Sequence, residues 1–273
     1  MDSKQNFLGK KIFFLYPQII VYNEVITDLF MQEYETYAAN DHLALRRILR
    51  RFPDSIVFVN IDEKLSEAKT AWETWVESVM DDETTAWEVW IRGVMNDPAT
   101  AQVSIGILST ANNDDIKRKY LTEIKITGGF IHVSTDVKKL ISQITEVLKI
   151  NNAQGRRKFI RFKVDDEKTT TVNIPVNEGF INGYIKDISA AGFSCTFQED
   201  PLLEKNSLIH NIQIKLQSVL LRAEAIVFGS RMEGLVKIYL FMFTPQTDSN
   251  APSKIRSYIR ENIQARMDLE MKK

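Results

Sequence analysis

The chain has 273 residues, 44% hydrophobic and 26% charged, with a formal net charge of -1. The length favours two domains over one, and the near-zero charge excludes a whole-protein field that would attract nucleic acid or an anionic membrane. The single cysteine, Cys195, excludes an intrachain disulfide or a thiolate metal cluster. We expect it to be a small buried residue.

The first residues lack the cationic start and apolar stretch of a signal peptide, and no run approaches the about 18 apolar residues of a membrane span. We therefore expect a cytoplasmic protein with no membrane span and no nucleic acid polymer as partner.

The first half of the chain alternates short apolar runs with stretches of helical period. The predicted strands are Lys11–Tyr16, Glu35–Ala39, Ser55–Asn60, Val103–Ser109 and Phe130–Val133. The predicted helices are Val21–Gln32, Leu43–Phe52, a long amphipathic stretch after the third strand, Asp114–Ile124 and Val137–Ile150. Five strands alternating with helices predict an α/β domain over residues 1–150, with a doubly wound, mostly parallel sheet.

The order of these elements and the phrase PDSIVFVNID resemble the flavodoxin-like receiver domain of response regulators over roughly residues 9–150. A receiver needs an acid pair after the first strand, an aspartate ending the third and a lysine after the fifth. The corresponding positions hold Tyr16 with Pro17, Asn60 and Val133, whereas Ser109 and Thr110 match the hydroxyl position. The pattern predicts a degenerate receiver that is not phosphorylated. A register two residues later would instead make Asp62 the phosphoacceptor.

A tandem repeat, Thr70–Asp82 and Thr85–Asp97, lies between the third and fourth strands. It carries all four tryptophans: Trp72, Trp75, Trp87 and Trp90. Their spacing puts each pair on one helical stripe. One interpretation packs the stripes on the sheet or on each other. The other packs one copy and leaves the second as a surface for a protein partner, since tryptophan is enriched in interface hot spots.

After the polar residues 151–155 the period changes to alternation, which predicts a second domain over residues 151–273. The predicted strands are Thr170–Ile174, Ile181–Ile188, Phe193–Phe197, Leu208–Leu216, Leu220–Phe228 and Leu235–Phe243. They favour a six-stranded antiparallel β-barrel. Pro252–Lys273 follows, with Ile255, Ile259, Ile263 and Met267 on one face, and is predicted to be a C-terminal helix.

Two motifs frame this barrel. Arg157 and Arg161 form an RxxxR pattern at its entrance, and Asp187, Ser189 and Gly192 form a [D/N]xSxxG pattern about 25 residues later. Together, and in this order, they resemble the paired signature of PilZ domains, which bind cyclic di-GMP. Each motif alone also has a plainer interpretation: a solvated basic linker, and an Asx-type turn whose glycine needs positive φ.

The PilZ resemblance assigns Arg157 and Arg161 to phosphate and guanine contacts, for which a guanidinium fork is suited. Asp187 would accept from guanine, while Ser189 and Gly192 shape the turn that approaches the ligand. Arg156 adds a third guanidinium, compatible with one or two ligand molecules. We expect Gln154–Arg161 to be mobile without ligand and to change the interdomain arrangement when ligand orders it.

The sequence thus predicts a cyclic di-GMP receptor that signals to an unknown downstream protein. The resemblance suggests motility, surface behaviour or virulence as outputs. We expect no enzymatic activity, no further cofactor and no metal site, since His42, His132 and His210 are scattered at what should be surface or strand positions. The alternative is a protein-interaction adaptor that uses the receiver-like domain and the tryptophan repeat, with vestigial ligand binding.

Overall fold

The computed structural model describes residues 9–65, 85–164, 169–176 and 179–273. The contacts divide the chain into two compact units. The first comprises Met1–Lys158 together with Gln264–Lys273, and the second comprises Phe159–Ile263.

The first unit is built on a parallel sheet of order β2-β1-β3-β4-β5, which confirms the predicted receiver-like architecture. Its strands are β1 (Ile12–Leu15), β2 (Thr36–Ala39), β3 (Ile56–Asn60), β4 (Ser104–Ser109) and β5 (Phe130–His132). Every residue of the first three strands is buried. Such continuous apolar runs are typical of parallel strands covered by helices on both faces.

The helices of this unit follow the predicted positions within a few residues. Helix α1 is a π-helical turn, Val21–Val25, continued by the α-helix Ile26–Met31; α2 is His42–Arg51; α3 is Ala86–Asn96; α4 is Asp114–Arg118, continued by π-helical Lys119–Ile124; α5 is Val137–Ile150. Asp41 begins α2 by accepting hydrogen bonds from the backbone amides of Leu43 and Ala44 at 2.9 and 2.8 Å, the usual role of an N-cap carboxylate.

The second unit is the predicted six-stranded antiparallel barrel. Its strands are β6 (Arg161–Lys163), β7 (Thr170–Val176), β8 (Gly179–Ser189), β9 (Gly192–Phe197), β10 (Leu208–Leu216), β11 (Val219–Glu233) and β12 (Val236–Phe243). The six strands β8-β7-β10-β11-β12-β9 close through the pairing of β8 with β9. The short strand β6 is a seventh strand outside this closed barrel, and it pairs with the C-terminal end of β8.

Every second side chain of a strand points into the barrel and fills it. In β10, for example, Ile212, Ile214 and Leu216 are buried and alternate with exposed residues. Cys195 on β9 is fully buried, as predicted, and burial raises the pKa of its thiol well above the usual value of 9.0.

The C-terminal helix α6 (Ala251–Met271) is also confirmed. Of its predicted stripe, Ile255, Ile259 and Met267 are buried and Ile263 is partly buried. Its last residues belong to the first unit, where the side-chain amide of Gln264 accepts a hydrogen bond from Ala38 N and donates one to Ala38 O, both at 2.9 Å. The side chain therefore satisfies the backbone N–H and C=O of Ala38 on edge strand β2. No described helix is long and apolar enough to cross a membrane.

Candidate functional site

Arg161 is held on the surface of the barrel by the residue that follows it. Phe162 is buried, and its ring meets that of Tyr258 edge-on with centroids 5.9 Å apart. Because successive side chains of a strand point to opposite sides, anchoring Phe162 inside turns Arg161 and Lys163 outward. Both are exposed.

The pairing of β6 with β8 brings the two predicted motifs together. Arg161 lies opposite Ser189 and Lys163 opposite Asp187. Arg161 Nε is 3.4 Å from Asp187 Oδ1, and the other carboxylate oxygen of Asp187 accepts a hydrogen bond from the Ser194 hydroxyl. The side chain of Arg161 is 47% exposed and that of Asp187 only 17%, so the carboxylate is largely covered and the arginine lies at the surface of the barrel. An ion pair this exposed contributes little, about 0–1 kcal/mol, and a ligand can displace it at small cost.

The turn between β8 and β9 is closed by the second motif. Ser189 Oγ donates to Gly192 O at 3.2 Å and accepts from Ala191 N at 3.3 Å. Gly192 does not have a positive φ, so the turn interpretation gave the wrong reason for this glycine. A Cβ at position 192 would instead lie 2.0 Å from Phe241 O. Only glycine lets β9 approach β12 this closely.

These residues line a cleft of about 230 Å³ on the barrel. Arg161, Asp187, Ser189 and Gly192 were predicted from the sequence. Its walls also include four residues that the sequence did not single out: Ser194, Phe228, Leu240 and Met242. Ser194 is two residues beyond the motif, so alternation along β9 was a signal that could have found it. The other three come from β11 and β12, and only the closure of the barrel brings them to the motif.

Arg156 and Arg157 are exposed residues of the first unit, five and four positions before Arg161. Their assignment to a ligand stays a prediction.

The edge of the parallel sheet where a receiver has its phosphorylation site holds a polar network around Asn60. Asn60 is the last residue of β3, as predicted. Its side-chain oxygen accepts from Gln18 Nε2 at 2.7 Å, and its side-chain nitrogen donates to Tyr16 O at 2.8 Å. Val133 follows β5, where a receiver would have its lysine.

Asp62, the alternative phosphoacceptor, has both carboxylate oxygens engaged. Oδ1 accepts from Ser109 Oγ at 2.6 Å, and Oδ2 accepts from Thr110 N at 2.7 Å and Thr110 Oγ1 at 2.8 Å. Desolvation alone would raise the pKa of Asp62, but these hydrogen bonds outweigh it and lower the pKa below 3.8. The two hydroxyls that could assist a phosphoryl group instead hold this carboxylate.

The tryptophans of the second repeat copy are not a partner surface. Trp87 is 5% and Trp90 0% exposed. Their indole nitrogens donate to Glu63 O at 2.7 Å and His42 O at 3.1 Å, because a buried indole N–H needs an acceptor. The prediction that the second copy offers these side chains to a partner is therefore wrong. Trp72 and Trp75 lie outside the described residues.

His42 also differs from expectation. It is buried at the start of α2, whereas His132 and His210 are exposed strand residues as predicted.

No protein-family model matches the chain and no curated protein matches it. Among solved structures, Escherichia coli YcgR in complex with c-di-GMP matches 44% of this chain and 52% of its own, with 13% identity and a TM-score of 0.37. K. pneumonia MrkH in its c-di-GMP complex matches 44% and 56%, with 20% identity and a TM-score of 0.33. A Desulfuromonas acetoxidans response regulator matches 52% of this chain and 98% of its own, with 12% identity and a TM-score of 0.38.

The first two are PilZ proteins and match the C-terminal half, and the third matches the N-terminal half. The chain covers only about half of YcgR and MrkH. At these identities the likeness concerns the fold alone.

Proposed function

We propose that this protein is a cyclic di-GMP receptor, that the barrel cleft is its binding site and that it has no enzymatic activity. The observation that carries the proposal is the meeting of the two motifs: Arg161 lies against Asp187 in a cleft whose wall includes the Ser189–Gly192 turn. Two motifs that are separated along the chain support a binding site more strongly when the fold brings them into one concave site.

The cleft suits the edge of a guanine. Asp187 can accept hydrogen bonds from the guanine N1–H and exocyclic amine. The Ser194 hydroxyl, which donates to Asp187 Oδ2, orients the carboxylate. Adenine carries no N1–H, so it cannot offer Asp187 this donor pair. Arg161 can turn from Asp187 to guanine O6 and N7 or to a phosphate, since its planar fork fits either group.

Arg156 and Arg157 would supply the remaining positive charge for the two phosphates. They belong to the short segment that enters the barrel. Engaging this segment by charge-assisted hydrogen bonds would bias its conformation and so change how the two units face each other. That change is the proposed signal to a downstream partner.

Isothermal titration with cyclic di-GMP tests the receptor. We expect micromolar or tighter binding, about -8 kcal/mol or better, lost in the Arg157→Ala, Arg161→Ala double variant and absent with cyclic di-AMP. Arg222→Ala is the matched control, because Arg222 is an exposed arginine of the same barrel outside the cleft. Absence of binding by folded wild-type protein would contradict the proposal.

A second experiment tests the conformational signal. The single native cysteine is buried, so cysteines introduced at exposed Asp54 and Lys205, one in each unit, can be labelled selectively with a fluorescent pair. We expect energy transfer to change when cyclic di-GMP saturates the protein. Unchanged transfer at saturation would retain the receptor but refute the interdomain signal.

A further inference from the structure

Phe228 is an exposed aromatic residue on the wall of the cleft. It is 60% exposed, next to Val227 at 1%. Along β11 and β12, Val227 pairs with Phe241 and Gly229 with Leu240, so Phe228 is the extra residue of a β-bulge. Bulges release a residue from the regular ladder and re-aim its side chain, and they are common beside binding sites.

The cleft has two chemically different sides. The polar side, Arg161, Asp187 and Ser194, comes from β6, β8 and β9, and the apolar side, Phe228, Leu240 and Met242, comes from β11 and β12. Met242 is 45% exposed. A ligand that satisfies both sides has a flat apolar face and a polar edge with donors and acceptors, which describes a purine base.

The size of the cleft limits what it can hold. At about 230 Å³ it is smaller than the roughly 300–1,000 Å³ of pockets that enclose a drug-sized ligand. It therefore fits one base of a dinucleotide, with the sugar-phosphate ring left outside.

Resting on the proposed function, we propose that Phe228 is the stacking platform for one guanine of cyclic di-GMP, with Met242 extending the apolar surface. The base lies on the Phe228 ring while its edge faces Asp187 and Arg161. The platform sets base affinity, and the acid and arginine set base identity.

The test compares Phe228→Ala, Phe228→Tyr and Phe180→Ala. Phe180 is the matched control because it is a 51% exposed phenylalanine of the same barrel that does not line the cleft. Loss of base stacking should weaken cyclic di-GMP binding roughly 5- to 150-fold in Phe228→Ala. Phe228→Tyr keeps the ring and should stay within about threefold of wild type, as should Phe180→Ala. Circular dichroism checks that the fold is unchanged.

A spectroscopic readout separates stacking from a general effect on the site. A base above an aromatic ring has its H8 proton resonance shifted upfield. That shift should be present in the complexes of wild type and Phe228→Tyr and reduced in Phe228→Leu, which keeps apolar bulk without the ring.

The outcomes distinguish this inference from the proposed function. If wild type binds but Phe228→Ala binds equally well, Phe228 is not a platform and the receptor stands. If folded wild type does not bind, both fail. If Phe180→Ala weakens binding as much as Phe228→Ala, the effect is not local to the cleft and the inference is overturned.

Discussion

Gly192→Ala should damage the barrel itself, whatever its effect on ligand. The added Cβ would lie 2.0 Å from Phe241 O and 3.1 Å from Met242 Cα. Both are backbone atoms of β12, so no side-chain rotation relieves the contact. The backbone of β9 must move away from β12, across a ladder that includes the opposed pair Gly192 and Met242.

The size of the effect follows from that displacement. Real Cβ contacts essentially never fall below 3.0 Å, which leaves about 1 Å to recover. Overpacking a filled core costs about 1–3 kcal/mol. Since a ladder must move here, we expect about 3 kcal/mol and a fall in melting temperature of at least about 10 °C for a domain of this size.

The assay must report the barrel. All four tryptophans lie between residues 72 and 90, so tryptophan fluorescence follows the first unit. Far-UV circular dichroism follows both units together, whereas hydrogen exchange of β9 and β12 follows the barrel alone. Gly234→Asn is the control: Gly234 has φ of 62° with open space around it, and asparagine tolerates this conformation, so the change should stay within about 0.5 kcal/mol.

A Gly192→Ala variant that melts with wild type, with unchanged exchange in β9 and β12, would refute the close approach of these strands. If it is destabilised as expected, its loss of cyclic di-GMP binding says nothing about a ligand contact at Gly192.

Three further predictions concern groups outside the cleft. Asp62 has a lowered pKa in the folded protein, so its stabilisation is present above about pH 4 and is lost as pH falls through the folded pKa. Asp62→Asn should therefore lower the free energy of unfolding by roughly 1 kcal/mol at pH 7. Urea titrations should show this difference from wild type shrinking below about pH 3.8, whereas a constant difference down to about pH 3 would contradict the hydrogen bonds of Asp62. Cys195 is fully buried with a raised thiol pKa, so a thiol reagent such as Ellman's should react only after unfolding; rapid labelling of native protein would be inconsistent with this burial. Gln264→Ala should accelerate hydrogen exchange at the Ala38 amide, whereas Gln217→Ala, whose side chain donates to Asn262, should not; equal exchange in both variants would dismiss the edge contact.

The tryptophan repeat shows a limit of periodicity. A stripe containing Trp87 and Trp90 has the same spacing whether it is packed inside or offered to a partner. The burial of both residues depends on acceptors from Glu63 and His42, which the helix pattern does not contain. The same holds for His42, which contacts Tyr16 and Trp90 from distant parts of the chain.

The sheet edge that corresponds to the phosphorylation site of a receiver shows a similar division. The sequence predicted the loss of the receiver's acid pair and lysine, because Tyr16, Pro17 and Val133 occupy those positions. The sequence could not predict the hydrogen bonds of Asp62, because its partners Ser109 and Thr110 lie at the end of the next strand of the sheet, some 47 residues away along the chain.

The sequence by itself determined both sheet architectures and the presence of the two motifs in their order along the chain. Alternation and helical period are local properties, and the motif residues keep fixed spacings, so both can be read along the chain. Only the tertiary structure decided that Gly192 is needed for close approach to Phe241, and that Phe228 and Met242 line the same cleft as Asp187. These relations join strands through barrel closure and a one-residue bulge, and neither leaves a periodic trace in the sequence.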